Sequence, residues 1–168
     1  MGRINVLPHP LTTVSSTQVV PVGSVFFNSE GLGYVFVLQA GADSTAVGDV
    51  VSIFSTYAYG SVSVTAATIA DYTDGTTIRP IIAGVALSVL ATNKYGWLWF
   101  YGRGTHSITT DGNVAANDLL TVTDGAKIAT REVTAATAHR SPIGVAHAAD
   151  SSTTLANAAL FGDGIYPW

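Results

Sequence analysis

From about residue 18 onward, the chain is a series of short apolar runs separated by turn-forming residues. Residues 34–38 and 97–101 are almost wholly apolar, and residues 61–65 alternate between polar and apolar positions as a half-buried strand does. The Asp-Gly pair at 124–125 supplies the positive φ values that a tight hairpin turn needs. Runs this short, with turns this frequent, predict an all-β fold, either a small β-barrel or tulip-like barrel or a sandwich.

The same order of motifs occurs twice in the chain. The matched segments are residues 33–41 with 96–104 (63 apart), 47–53 with 116–122 (69 apart), 82–87 with 142–147 (60 apart) and 100–104 with 160–164 (60 apart). Unequal separations are what insertions in loops produce. We therefore predict an extended N-terminal arm at 1–17, followed by a single β domain at 18–168. That domain contains an internal duplication of about 33–95 and 96–164.

The composition is poor in charge. Charged residues make up 11% of the chain and hydrophobic residues 48%, whereas ordinary soluble domains carry about 25% charged residues. A lone monomer with so few charges has a poorly solvated surface, so the composition favours an assembly in which much of that surface is covered. The alternative is a compact β protein with a neutral surface rich in Ser and Thr.

Charge and hydropathy also exclude some partners. The net charge is −4, and the seven basic residues are scattered, so no basic stripe is available for phosphates and nucleic-acid binding is disfavoured. No apolar run approaches the roughly 18 residues of a transmembrane helix, so we expect no membrane partner.

Candidate chemistry is sparse. The histidines, His9, His106, His139 and His147, show none of the spacings typical of metal sites. Asp49 and Asp118 stand at equivalent positions of the repeat, each before an apolar strand, where Asp commonly stabilises a turn. We therefore predict no catalytic residue, no metal ligand and no cofactor, and expect that the chain is not an enzyme.

The aromatic run at 97–101 is the most distinctive local feature. In a regular strand, Trp97, Trp99 and Tyr101 share one face, while Leu98 and Phe100 share the other. An exposed row of three aromatic rings can stack on sugars or on a protein partner. The alternative is that one face belongs to the core and the other to a subunit interface.

Two further segments are candidates for an interface. Pro8 and Pro10 favour an extended backbone in the arm, beside Leu7. Residues 164–168 contain Tyr166 and Trp168, which are costly to leave in water, so we expect them to dock on their own or a neighbouring subunit. The predicted interface residues are Leu7, Pro8, Pro10, Trp97, Trp99, Tyr101, Tyr166 and Trp168.

Several of these motifs together resemble a known family. The motifs are Ile-Ala-Gly-Val-Ala at 82–86, Gly-Trp-Leu-Trp-Phe at 96–100, Asn-Asp-Leu-Leu-Thr-Val at 117–122, Asp-Gly-Ala-Lys at 124–127 and Ile-Gly-Val-Ala at 143–146. In this set the chain resembles the capsid decoration, or cement, proteins of tailed phages, over roughly residues 20–164. It departs from them in its N-terminal arm and in the long loop at 54–80.

The resemblance implies a structural virion protein. Proteins of that family are small, β-rich and commonly trimeric, and they stabilise the head by binding its outside across capsomer junctions. The implied partners are the major capsid protein and further copies of this chain, and the implied location is the capsid exterior after assembly in the host cytoplasm. The alternative is a carbohydrate- or host-surface-binding β module of a phage fibre or spike, which needs Trp97 and Trp99 at the surface.

Overall fold

The computed structural model of the 168-residue chain describes residues 3–4, 6–7, 10–39, 44–55, 62–66, 83–122, 129–131 and 143–161. The prediction of an all-β fold is confirmed, since every regular element in these ranges is a strand. The strands are β1 (Arg3–Ile4), β2 (Val25–Phe27), β3 (Gly33–Gln39), β4 (Val50–Ser55), β5 (Val62–Ala66), β6 (Ala83–Ala86), β7 (Lys94–Gly104), β8 (Ile108–Thr109), β9 (Leu119–Val122), β10 (Ala129–Arg131), β11 (Gly144–Ala146), β12 (Thr154–Leu155) and β13 (Ala158–Phe161). The described part of the chain contains no helix long and apolar enough to cross a membrane.

Five strands close on themselves to form what we call the first ring. Their order is β3-β5-β4-β6-β7, and β7 pairs with β3 to complete the circuit. All neighbours are antiparallel except β3 and β5, which run parallel and meet at Leu38 and Ser63. Closure gives the backbone groups of these strands partners on both sides, which removes the exposed edges of an open sheet.

A second set of strands repeats this arrangement. Read in the other direction from β3, the first ring is β3-β7-β6-β4-β5, and the second set is β7-β13-β11-β9-β10. A parallel bridge from Ala129 to Thr110 joins the last strand of the second set to the chain just after β8. We call this set the second ring. Strand β7 belongs to both rings, because its first part pairs with β3 and its last part, Tyr101–Gly104, pairs with β13. The division of the chain into an arm and one domain stays a prediction.

The pairing register shows which positions of the two rings correspond. Val51 lies opposite Gly84 in the first ring, and Leu120 lies opposite Gly144 in the second. These pairs have the separations of 69 and 60 residues that the sequence motifs have. The turn before each strand also matches, since Gly48 has φ 89° and Asn117 has φ 72°. Asn is one of the few residues that tolerate this left-handed region.

The aromatic strands correspond differently from the sequence match. Leu98 and Ala158 are equivalent, and their partners in the neighbouring strand are Val35 and Gly104. Position 35 therefore corresponds to position 104, which is 69 residues further on and not the 63 expected from the aromatic pattern. The physical reason is that the aromatic part of β7 is the pairing partner of β3, whereas the continuation of β7 takes the place of β3 in the second ring.

Two apolar cores lie on the two sides of β7. The core inside the first ring comprises Val25, Val35, Val37, Val51, Ala86, Leu90, Leu98 and Phe100. The other core joins the outer face of the first ring to the second ring, and its largest members are Tyr34, Phe36, Trp97 and Trp99. The alternation of side chains along β7 sends Leu98 and Phe100 to one core and the two indoles to the other.

A bulge at the end of the aromatic run changes the face of Tyr101. Tyr34 lies opposite Trp99, but Gly33 lies opposite Tyr101, so β7 has one extra residue at this point. The ring of Tyr101 consequently packs on the Phe100 side, 6.0 Å from the ring of Phe27. The expectation that Tyr101 shares a face with the two tryptophans is therefore wrong, because it assumed an uninterrupted strand.

The described part of the N-terminal arm lies along its own chain. Strand β1 pairs in parallel with β2, and Ser15 exchanges two backbone hydrogen bonds of 3.0 and 2.9 Å with Tyr95. Leu7 and Leu11 are partly buried against the core between the rings. These contacts give the arm an inner side that faces the rest of its own chain.

Close packing at Gly96 gives a first prediction. A Cβ at this position overlaps Cδ2 of Leu90, whose side chain is fully buried. We expect Gly96→Ala to lower the free energy of unfolding by about 1–3 kcal/mol, as overpacking does. Leu90→Ala alone is expected to cost about 2–5 kcal/mol through the cavity that it leaves.

The double variant distinguishes this cause from a general effect on the strand. Because Leu90→Ala removes the overlapping atom, the loss in Gly96→Ala/Leu90→Ala should be smaller than the sum of the two single losses. Urea unfolding of the four proteins measures this coupling. Additive losses would show that Gly96 is not required by the side chain of Leu90.

Candidate interaction surface

The two tryptophans of β7 belong to the core. Both are 0% exposed. The ring of Trp97 lies 5.1 Å from that of Phe36, and Nε1 of Trp99 donates a hydrogen bond of 2.9 Å to the carbonyl oxygen of Tyr101. A Cβ at Gly104 would lie 3.2 Å from Cζ2 of Trp99, so the glycine leaves space for the indole inside the second ring.

This burial corrects the prediction that Trp97 and Trp99 contribute to an interface. Neither ring presents any surface to a partner or a ligand in this conformation, because the face that they share is covered by the second ring. Alternation within one strand identified the face, but it carries no information on which distant strands cover it.

The remaining predicted interface residues lie in several places. Tyr101 is half-buried beside Phe27, and Leu7 is half-buried against the core, while Pro10 is exposed. Pro8, Tyr166 and Trp168 lie outside the described residues. The structure therefore does not bring the described candidates together into one patch.

A half-buried polar cluster connects the two rings. The hydroxyl of Tyr34 and Nε2 of His106 are 3.0 Å apart, and the ring of His106 packs 5.3 Å from that of Trp99. Burial lowers the pKa of His106 from its ordinary 6.5, and the carboxylate of Glu30 opposes this shift. Burial and then Glu30 raise the pKa of Tyr34 to about 12, so its hydroxyl stays protonated at physiological pH.

Sequence reasoning missed this cluster. Tyr34 and His106 are 72 residues apart, and neither belongs to a recognisable motif. Only strand pairing connects the two positions. His106 lies two residues beyond Gly104, the last residue of β7, and β7 pairs with β3, the strand that carries Tyr34. The cluster is a contact between the first and second rings of strands. Its geometry holds a neutral imidazole against two aromatic side chains.

Asp49 and Asp118 have the same structural role in the two rings. One carboxylate oxygen of Asp49 accepts a hydrogen bond of 2.8 Å from the backbone N–H of Ala46, and Asp118 accepts one of 2.9 Å from Ala115. Each residue thus closes the turn before an apolar strand. Within the described ranges, no group of three or more His, Cys, Asp or Glu residues could hold a metal ion.

Large exposed apolar side chains occur on the N-terminal segment and on the outer face of the second ring. Along the arm and just beyond its end, Val6, Val14 and Val19 are 80%, 37% and 40% exposed. On the outer face of the second ring, Leu119 and Phe161 are 46% and 36% exposed. The remaining large exposed apolar residues in the described ranges are Val47 and Val89.

Comparisons with known proteins give a limited result. No protein-family model and no curated protein matches the chain. Among solved structures, the chain is similar to one described as the head fiber gp8.5 N base of bacteriophage phi29, with a TM-score of 0.47 and 12% sequence identity over 80% of this chain and 99% of that one. We draw no conclusion on function from an overlap this loose.

The twin turns give a second prediction. We expect Asp49→Ala and Asp118→Ala each to lower the free energy of unfolding by about 1–2 kcal/mol, because each removes a charged acceptor from a backbone N–H. Asp49→Asn and Asp118→Asn keep an oxygen acceptor and should lose less. Chemical denaturation measures both effects. A variant that keeps full stability but loses binding to a partner would contradict a purely structural role.

The His106 cluster gives a third prediction, on pH. Because the folded protein holds the His106 proton less tightly than the unfolded chain, the unfolded state gains protons first as the pH falls below about 6.5. Stability is therefore full above this pH and decreases towards the lower folded-state pKa. We expect the free energy of unfolding to fall less between about pH 7.5 and about pH 5 in His106→Gln than in the parent protein.

Glu30→Gln is the matched control for the pH effect. Its carboxylate favours protonated His106, so removing it should make the loss contributed by His106 in acid larger. Urea midpoints at the two pH values measure both changes. Parallel curves for the parent and His106→Gln would show that His106 does not carry the acid sensitivity.

Proposed function

We propose that this chain is a structural protein of a tailed-phage head. In this proposal it binds the outside of the capsid, contacts the major capsid protein across capsomer junctions, and acts as a homotrimer. Its work is non-covalent stabilisation of the shell, and it needs neither a catalytic residue nor a cofactor. The motifs at 82–86, 96–100, 117–122 and 143–146, which resemble those of capsid decoration proteins, supply the identity of the partner.

The observation that carries the proposal is a surface with few charges and several outward apolar side chains. Only 11% of the residues are charged, and large apolar residues such as Val6, Val47 and Val89 are more than half exposed. Such a surface favours permanent contact with other proteins over free solution. A lattice protein, which is surrounded by neighbours in its functional state, fits this composition.

The arm is the part of the surface best suited to reach a neighbour. Its inner side is held by β2, by Tyr95 and by the core contacts of Leu7 and Leu11. Its outer side presents Val6 and Val14, and the exposed Val19 follows just after it. A segment that is anchored on one side and apolar on the other gives a partner a pre-ordered surface, which reduces the entropy lost on binding.

Many weak sites suffice for this function. A trimer that contacts three capsid subunits makes the second and third contacts within one complex, so their effective concentration is high. A symmetric trimer also fits a three-fold position of an icosahedral shell. Each individual interface can therefore be modest in area.

The alternative of a carbohydrate-binding module loses its main support. That hypothesis needs the indoles of Trp97 and Trp99 at the surface to stack on sugar rings, and both are fully buried. No other group of aromatic residues in the described ranges forms an exposed row. We therefore do not propose glycan binding.

Binding to heads that lack this protein is the direct test and our fourth prediction. We expect the purified chain to have the mass of a trimer in solution and to co-sediment with heads of the virus that encodes it. The variant Val14→Asp/Val19→Asp should bind about tenfold more weakly or worse, since each unpaired carboxylate buried in an interface costs several kcal/mol.

Val89→Asp is the matched control. It places the same charge on an exposed valine in the connection between β6 and β7, which is not part of the arm, and it should bind as the parent protein does. A monomer that does not co-sediment with such heads at any concentration would overturn the proposal. Equal binding by the arm variant and the parent would remove the arm from the interface.

A further inference from the structure

The outer face of the second ring carries a row of side chains that crosses four neighbouring strands. Arg103 on β7 lies opposite Ala159 on β13. Ala159 lies opposite Val145 on β11, which in turn lies opposite Leu119 on β9. Residues that are paired in this way point to the same face of a sheet. Because neighbouring strands are about 4.8 Å apart, the row is about 14 Å long.

The row is mainly apolar and is open to solvent at both ends. Arg103 is exposed at one end, and Leu119 is 46% exposed at the other, while Val145 and Ala159 between them are partly buried. Phe161, two residues after Ala159 on the same face of β13, is 36% exposed and extends the apolar area. Apolar side chains that lie together on a surface and have a polar rim are typical of a protein interaction site.

The equivalent row of the first ring is covered within the chain. Its members are uncharged and almost completely buried in the core between the rings: Tyr34, Trp99, Val85 and Val50. In the second ring, Arg103 stands at the position that Tyr34 has in the first. Since the rim of a contact between chains is polar and its centre is apolar, the charged row suits such a contact better than it suits a core.

The two ends of the row carry opposite charges. At one end, Arg103 makes no ion pair within the described part of the chain. At the other end, Asp118 directly precedes Leu119 and is partly exposed. The turn before β9 uses Oδ2 of Asp118, which accepts the backbone N–H of Ala115, so the second carboxylate oxygen is available to a partner. The row is therefore positive at one end, apolar in the middle and negative at the other end.

We propose that this row is the surface through which copies of the chain contact one another in the homotrimer. The inference rests on the proposed function, from which it takes the trimer. Rows placed head to tail bring Arg103 of one copy beside Asp118 of the next, and a contact between unlike ends closes into a ring of three under three-fold symmetry. The apolar middle of each row, Val145 and Leu119, then packs against a neighbouring copy and leaves water.

Charge complementarity identifies a second copy as the occupant of this face. An apolar surface with one unpaired cation is complementary to an apolar surface with a carboxylate, and Asp118 of a second copy supplies that carboxylate. The chain has 11 acidic and 7 basic residues, so a copy of it offers an arginine an excess of carboxylates. The arm, residues 1–17, contains no Asp or Glu. It therefore does not complement Arg103, and it remains available for the capsid.

Sedimentation of the full chain over a range of concentrations tests the proposal, and this is our fifth prediction. We expect Leu119→Asp to raise the concentration at which half of the trimer dissociates by about tenfold or more, because it buries an unpaired carboxylate in the apolar middle of the row. Arg103→Gln and Asp118→Asn should each raise this concentration several-fold. Asp118→Asn keeps an oxygen acceptor for the turn and removes only the charge.

A double variant and two matched controls make the test specific. If Arg103 and Asp118 meet across the contact, Arg103→Gln/Asp118→Asn should associate hardly more weakly than either single variant. Val89→Asp places a carboxylate on an exposed valine outside the row, and Asp49→Asn makes the same change in the matching turn of the first ring. Both controls should leave the dissociation of the trimer unchanged, and circular dichroism checks that each variant is folded.

Co-sedimentation of the same proteins with heads separates this inference from the proposed function. Trimers of unchanged strength in folded Leu119→Asp and Arg103→Gln, or a monomeric parent that still binds heads, would overturn the inference and leave capsid binding untouched. A Leu119→Asp trimer that no longer binds heads would assign the row to the capsid and also overturn it. A parent trimer that depends on the row but does not bind heads would support this contact and overturn the proposed role in the head.

Discussion

The structure depends on one strand that two rings share. Strand β7 is 11 residues long, and Trp97, Leu98, Trp99 and Phe100 are buried on its two faces. Its pairing with β3 closes the first ring, and its pairing with β13 begins the second. Because aromatic side chains bury about 150–250 Å² each, this strand contributes a large part of the apolar burial of both cores. Glycines at 96 and 104 leave the space that such dense packing requires.

The two rings, which share one strand, have similar backbones but different side chains in their interiors. The turns at Asp49 and Asp118 have the same hydrogen bonds, and the strands that follow them have the same register. Inside the second ring, however, Gly104 stands where the first ring has Val35, and Ala158 stands where it has Leu98. These smaller residues admit the indole of Trp99, so the core of the second ring is completed by a side chain that also belongs to the first.

An array built in this way has two unlike ends. At the first end, β2 and the arm cover the first ring and leave valines facing outward. At the other end, the described residues form no third ring over the outer face of the second ring. Both ends bring apolar surface to a chain that has few charges to solvate it. For the structural role that we propose, the arm is the end that faces a partner.

The sequence by itself determined the features that depend on short-range chemistry. Alternation and turn residues predicted the all-β fold. The repeated Asp and Gly positions identified equivalent turns before β4 and β9 and equivalent glycines at 84 and 144, because a turn needs only its own neighbours. The tertiary structure decided what depends on distant strands. Trp97 and Trp99 are buried because the second ring covers their face, and Tyr101 leaves that face because of a bulge opposite Gly33. The contact of Tyr34 with His106 likewise joins residues 72 apart in the sequence. No local sequence pattern indicates which strand closes a ring, because closure depends on pairing between distant segments.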